Sequence, residues 1–219
     1  MDGFKNTEGK SVLLKMITAI QDNKDYLGEV DGLIGDGDHG MNMNKGFSIF
    51  GKKIKDKDIG FSEGLNELGM VLFNEIGGSM GPIYGTIFMS MAEAGESKEI
   101  INLENFTVML SNGLEALYDI VEARVGDKTL IDTLFPAVAS LKVSLEKGEG
   151  FFEALEKMKA AAETGKNSTK DMIARYGRSS RLGERSKGVL DAGAVSCSLL
   201  LCAMSDGIQE VLKGEDKIC

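Results

Sequence analysis

With 219 residues the chain is long enough to bury one substantial core, or at most two small ones. Its 42% hydrophobic and 27% charged composition is that of an ordinary globular protein, and only two prolines and no linker-like run point to one domain over residues 1–219. The formal charge of −9 excludes a broad nucleic-acid-binding face, since phosphate backbones demand a basic footprint, though it leaves room for a local anion site.

Polar residues punctuate the first twenty positions (Asp2, Lys5, Glu8, Lys10, Lys15), so no signal peptide is read. Val12, Leu13, Met16, Ile17 and Ile20 then form an apolar stripe at helical spacing, which Leu27, Val30 and Ile34 extend. Helical patterns follow over 41–54, 61–76, 82–94, 104–123, 129–146, 150–172 and 192–213, about eight amphipathic segments in all. Ser62 stands as an N-cap before Leu65, Leu68 and Leu72, and Gly77-Gly78 ends that helix. Cys197, Leu200, Cys202 and Met204 on the last helix read as core. Period-two alternation is scarce, and the predicted class is all-α. No apolar run approaches the roughly 18 residues of a membrane span. The three cysteines, Cys197, Cys202 and Cys219, form no C-x-x-C pair; a reducing cytoplasm is the expected setting.

Function is expected in the glycine-rich connections, 32–40, 77–85 and 176–193, with a shorter "GDKT" at 126–129. In "GLIGDGDHGMNMNKGF", Gly35, Gly37 and Gly40 fit the dinucleotide fingerprint G-x-G-x-x-G. That fingerprint needs a strand before it, whereas Leu27, Val30 and Ile34 are helically spaced, and Asp36 and Asp38 would repel a pyrophosphate. An EF-hand also fails, because the twelfth position from Asp36 is Phe47 rather than glutamate. Two readings stay open. Asp31, Asp36 and Asp38 can converge on a divalent cation, with all-oxygen ligands suited to Mg²⁺, or the Asp/Gly turn merely caps a helix starting near Met41. His39, the sole histidine, and Asn42 would face whatever such ions hold.

"GGSMGPIYGT" places Pro82 near a helix start, where backbone N–H groups can receive an anion, although a tight helix–helix turn explains the glycines equally. "GFSIFGKK" lacks the final Ser/Thr of a Walker A loop. "RYGRSSRLGERSKGVLDAGA" sets Arg175, Arg178, Arg181, Arg185 and Lys187 against one carboxylate, Glu184, in an acidic chain. It reads as a flexible loop able to close over phosphates. Carboxylates, glycine turns and an arginine lid together predict Mg-nucleotide binding without a Rossmann sheet or P-loop.

"IGDGDHGMNMNKGF", "GGSMGPIYGT", "GDKT" and "GRSSRLGERSKG" together resemble the L subunit of bacterial dihydroxyacetone kinase, over about residues 25–195. The resemblance implies a barrel of eight antiparallel helices with the nucleotide at one end. It implies that Asp31, Asp36 and Asp38 bind two Mg²⁺ ions, and that His39, Gly40, Met41, Asn42 and the turn Gly78-Ser79-Met80 contact the phosphates of ADP or ATP. Leu130 would lie against the adenine, while Arg178 and the turn Asp191-Ala192-Gly193 close over the ligand. The implied partners are a separate K subunit, which holds the ketose covalently, and a phosphotransferase-system protein as donor if ATP does not exchange freely. Two departures, Val189-Leu190-Asp191-Ala192-Gly193 in place of His-x-Asp-Pro-Gly and Met80 in place of a small hydroxyl residue, leave dihydroxyacetone and erythrulose both open. A fatty-acid-kinase-like nucleotide domain and a nucleotide-loaded regulator docking on a transcription factor are the rival expectations.

Overall fold

In the computed structural model, which describes residues 3–215, the apolar stripe read over residues 12–34 is two helices, α1 (Lys10–Asp22) and α2 (Lys24–Ile34). They part at Asn23, whose side-chain amide donates to the Ala19 carbonyl at 2.9 Å and so competes with the helical ladder. Seven further helices follow among the described residues. They are α3 (His39–Ile54), α4 (Phe61–Glu75), α5 (Met80–Gly95), α6 (Leu103–Ile120), α7 (Ile131–Glu146), α8 (Phe151–Ser168) and α9 (Ala192–Glu215). Two three-residue strands, β1 (Gly3–Lys5) and β2 (Ile100–Asn102), pair antiparallel with Phe4 opposite Ile101. Strands this short give the sequence no alternation to register. The all-α class holds. Cys219 lies outside the described residues.

Neighbour relations close a ring: α1 packs on α3, α3 on α4, and so on in chain order to α9, which returns to α1. That makes eight helices around one continuous core, with α2 lying across α3 and α9. Phe47, Phe50, Phe61 and Phe106 are among its largest fully buried side chains. A cavity between Tyr84, Phe88, Leu134 and Leu201 measures only about 20 Å³, room for about one water, amid buried side chains from every helix of the ring. Backbone contact tightens the α4–α5 pair. A Cβ on Gly69 would stand 2.9 Å from the Gly85 carbonyl, and one on Gly85 3.0 Å from that of Gly69.

Two expectations change. Ser62 is not a cap, because α4 begins at Phe61. The Ser62 N–H is met instead by the Asn6 side-chain oxygen at 2.9 Å, while the Asn6 amide reaches Ser62 Oγ and the Gly95 and Lys98 carbonyls. A remote side chain does the work, which no local pattern reveals. In addition, residues 192–214 of α9 are long and apolar enough to cross a membrane by composition, yet 67% of their most apolar window is buried, as befits a core helix.

Successive antiparallel helices place alternate connections at opposite ends. Connections α2–α3, α4–α5, α6–α7 and α8–α9 therefore share one rim, and these carry the four glycine motifs. The sheet and the α3–α4 connection close the other end.

Candidate functional site

Asp31 occupies the last turn of α2, and Asp36 and Asp38 the four-residue connection to α3, which turns at Gly37 (φ 77°). One carboxylate oxygen from each lies within 4.8 Å of the others, and no other such cluster occurs among the described residues. Asp38 immediately precedes α3, but its carboxylate caps nothing. The His39 N–H is instead received by Asp31 at 3.3 Å. Helix capping thus accounts for Asp31 in part and for neither of the others. Three convergent carboxylates favour a nearby cation, and the Arg178 guanidinium is one, paired with Asp36 and 4.0 Å from Asp38. A donor set of hard oxygens, with Asp31 and Asp38 half-buried and Asp36 exposed, and without thiolate or imidazole, fits Mg²⁺.

The cluster forms one wall of a cavity of about 390 Å³. Every residue singled out for the site lines it except Gly40 and Met41. Gly40 is buried at the crossing of α3 with α2, while Met41 points outward, 65% exposed. Gly78 (φ 71°) and Ser79 form the exposed lip before α5, and Met80 and Pro82 sit in its first turn, where proline's missing N–H is harmless. Leu130, just before α7, is 7% exposed and shares an apolar slot with Ile83, Leu117, Val121 and Ala123. A larger groove of about 880 Å³ runs along α4 and α5 and contains scattered glutamates and lysines. Convergent chemistry, not size, distinguishes the rim.

His39 is buried, and its Nε2 lies 2.8 Å from Ser196 Oγ, which in turn meets the Tyr84 hydroxyl at 2.7 Å. The ring thus ties α3 to α5 and α9 rather than standing free toward a ligand. Burial lowers its pKa to about 4, against an opposing pull from Asp31. Between the ordinary value of 6.5 and about 4, the unfolded chain binds a proton that the fold refuses. This stability is complete above pH 6.5 and lost as pH falls toward 4, on the order of 3 kcal/mol. Asp191 acts in the opposite sense, because burial raises its carboxyl from 3.8 to about 6, so protonation adds stability as pH falls through that range. In metal-free protein, His39→Gln removes only the first slope. Its denaturation midpoint should therefore gain on wild type between pH 6.5 and 4.5, and parallel curves would show that the imidazole is not held neutral.

The arginine segment differs from the flexible loop expected. Residues Arg178–Ser186 wind in 3₁₀ turns with a kink at Gly183. Ser180 donates to the Gly177 carbonyl, and buried Ser186 both donates to Gly183 and receives the Ala174 N–H, so the serines hold the turns together. Of its basic side chains, Arg178 lines the cavity; Arg181, Arg185 and Lys187 face solvent, and Arg175 reaches Asp127 at 3.4 Å. Asp191 accepts the Ala194 N–H at 2.8 Å and caps α9, with Ala192 buried behind it and the Gly193 carbonyl accepting from Ser196.

Sequence reasoning missed four residues here. Tyr84 and Ser196 lie inside or beside the quoted motifs, but only tertiary contact reveals their link to His39. Asp132, buried, receives the Gly126 and Thr129 N–H groups and shapes the "GDKT" loop; Lys128 within it is 1% exposed.

Fold and rim together define a class: an antiparallel helical barrel with a carboxylate-walled, apolar-floored cavity at one end. The chain belongs to the DAK2 domain family, whose model matches residues 33–206. It is 42% identical over 180 residues (81% of this chain, 85% of the other) to the ADP-binding subunit DhaL of the PEP-dependent dihydroxyacetone kinase of Escherichia coli. It is 38% identical over 186 residues (84% and 88%) to the corresponding subunit of dihydroxyacetone kinase 1 of Listeria innocua. The crystal structure of the C. freundii dihydroxyacetone kinase in complex with AMP-PNP and Mg²⁺ superposes with a TM-score of 0.66 at 21% identity, covering 89% of this chain. This chain spans about a third of that kinase, which therefore speaks to the fold alone.

Proposed function

We propose that this chain is the nucleotide-binding subunit of a dihydroxyacetone-type kinase, holding ADP or ATP with Mg²⁺ at the rim and delivering a phosphoryl group to a short ketose on a separate K subunit. The convergence of Asp31, Asp36 and Asp38 beside an apolar slot, in a chain so similar to ADP-binding subunits, carries this reading. The three aspartates would hold the metal, two ions by the family resemblance, and when bound it would neutralise phosphate charge. The aspartates act as ligands, not nucleophiles. Leu130 and its neighbours offer the adenine an apolar surface. The lip Gly78-Ser79-Met80 offers backbone N–H groups to phosphates, and of the first turn of α3 (His39, Gly40, Met41, Asn42) the side chains of His39 and Asn42 line the cavity beside them, while Gly40 sets the helix crossing and Met41 faces outward. Arg178 is placed to move from Asp36 onto a phosphate, its planar fork suited to both. Asp191, Ala192 and Gly193 close the inner side through the α9 cap. Positioning and charge stabilisation are the main work of phosphoryl transfer.

The names of the relatives favour a phosphotransferase-type donor that recharges bound ADP over freely exchanging ATP. A cytoplasmic setting follows from partnership with such proteins. Erythrulose kinases among the more distant relatives, 27–28% identical, keep four-carbon ketoses in view. Equilibrium dialysis with ADP, with and without Mg²⁺, tests the site, and reconstitution with the cognate K subunit, donor and a C3–C4 ketose panel tests the activity. Mg²⁺-dependent ADP retention and turnover of one ketose are expected. Retention without any turnover would transfer the reading to a nucleotide-loaded regulator, and absence of retention would end both.

A further inference from the structure

Asp127 and Lys128 are adjacent and both buried, yet they face different ends of the arginine segment. Lys128 has φ 62°, and no other non-glycine described residue has a positive φ. That conformation and the burial of an ammonium are two costs at one position. The ammonium donates to the Thr169 carbonyl at 2.5 Å and to the Val189 carbonyl, which ties the C-terminal root of the segment to the α6–α7 connection. Burial lowers its pKa, and the carboxylates of Asp191, Asp171 and Asp132 hold it up. Around it, Gly188 N–H reaches the Lys170 carbonyl at 2.7 Å, and Asp191 N–H reaches Thr169 Oγ1 at 3.0 Å. Asp127 receives the other root. Its carbonyl accepts the Arg175 N–H at 3.2 Å, its Oδ1 lies 3.4 Å from Arg175 Nε, and its Oδ2 accepts the Arg124 N–H at 2.7 Å.

We propose that Asp127 and Lys128 are positioning residues, a two-sided clasp that fixes both roots of the segment carrying Arg178 and so sets how firmly that arginine closes the mouth. Leu130 stands two residues further on, so the apolar slot and the clasp belong to one turn. A ligand pressing on the slot bears directly on the anchorage of the arginine. The inference rests on the nucleotide reading of the site.

Release of a fluorescent methylanthraniloyl-ADP, preloaded with Mg²⁺ and chased by excess ADP, tests it in a double-mutant cycle. Lys128→Met keeps the bulk and removes the ammonium. It should speed release about tenfold alone, but no more than about twofold in an Arg178→Gln background, because the two act through one element. Multiplying effects would overturn the clasp, since a residue acting by direct ligand contact or by general loosening adds to the loss of Arg178. Arg175→Gln, on a side chain 73% exposed, tests the other root by the same cycle and decides the matter if Lys128→Met does not fold. Wild-type protein that fails to retain the probe would overturn the nucleotide reading and the clasp with it. Retention with additive variants overturns the clasp alone.

Discussion

Asp36→Asn should reduce Mg²⁺-dependent nucleotide affinity and kinase turnover to below about a hundredth of wild type, because loss of outer-shell partners alone costs metal sites 10–100-fold. The side chain is 40% exposed and, among the described residues, pairs only with Arg178 at the rim, so little of the fold depends on it. Helical circular dichroism should be unchanged and the unfolding free energy from urea titration should stay within about 0.5 kcal/mol of wild type, as exposed ion pairs contribute little. The asparagine oxygen remains a ligand in shape but carries no charge, and the remaining two carboxylates then balance less of a divalent ion. Isothermal calorimetry with ADP and Mg²⁺, beside a turnover assay, separates binding from chemistry. Wild-type affinity in the variant would remove Asp36 from the metal site and leave the trio as a surface cluster.

Gly40→Ala should damage stability and affinity together. A Cβ at this position would overlap the Lys24 carbonyl oxygen and lie 2.8 Å from the Gly28 nitrogen, so α2 and α3 cross at backbone contact there. Neither obstacle is a flexible side chain that could swing aside. The helices must separate, at a cost of about 1–3 kcal/mol, as for other overpacked cores. Their separation carries Asp38 and the first turn of α3 away from Asp31, which receives the His39 N–H across the same crossing. Nucleotide affinity should drop about tenfold or more, a misplacement effect rather than loss of a contact. Chemical denaturation and calorimetry check the two halves. An alanine variant with unchanged stability would mean that the crossing has slack, and Gly40 would then have no packing reason to be glycine.

Much of this was legible in the chain. Leu65, Leu68 and Leu72 at helical spacing gave the helix that now buries them, and the glycine pairs marked where helices end, because both signals are local. The aspartates were legible as a pattern of charge, since Asp36 and Asp38 alternate in a loop and Asp31 sits one helical turn before it. Partnerships across long separations were not. Asn6 caps a helix starting at Phe61, Ser196 lies 157 residues from the histidine it holds, and Lys128 needs a left-handed backbone that its neighbours do not announce. Glycine and serine suggest a loose arginine segment because both are common in loops, whereas here its serines bond the turns on themselves. Composition states what a segment can do, and tertiary contact selects among the options.

Strand β1 and the far end of α9 meet on the side away from the cavity. A module joined to β1 or to the far end of α9 would therefore approach from behind, leaving the mouth clear. The same barrel can thus serve as a free-standing partner or as one bead of a longer polypeptide without redesign of its chemistry.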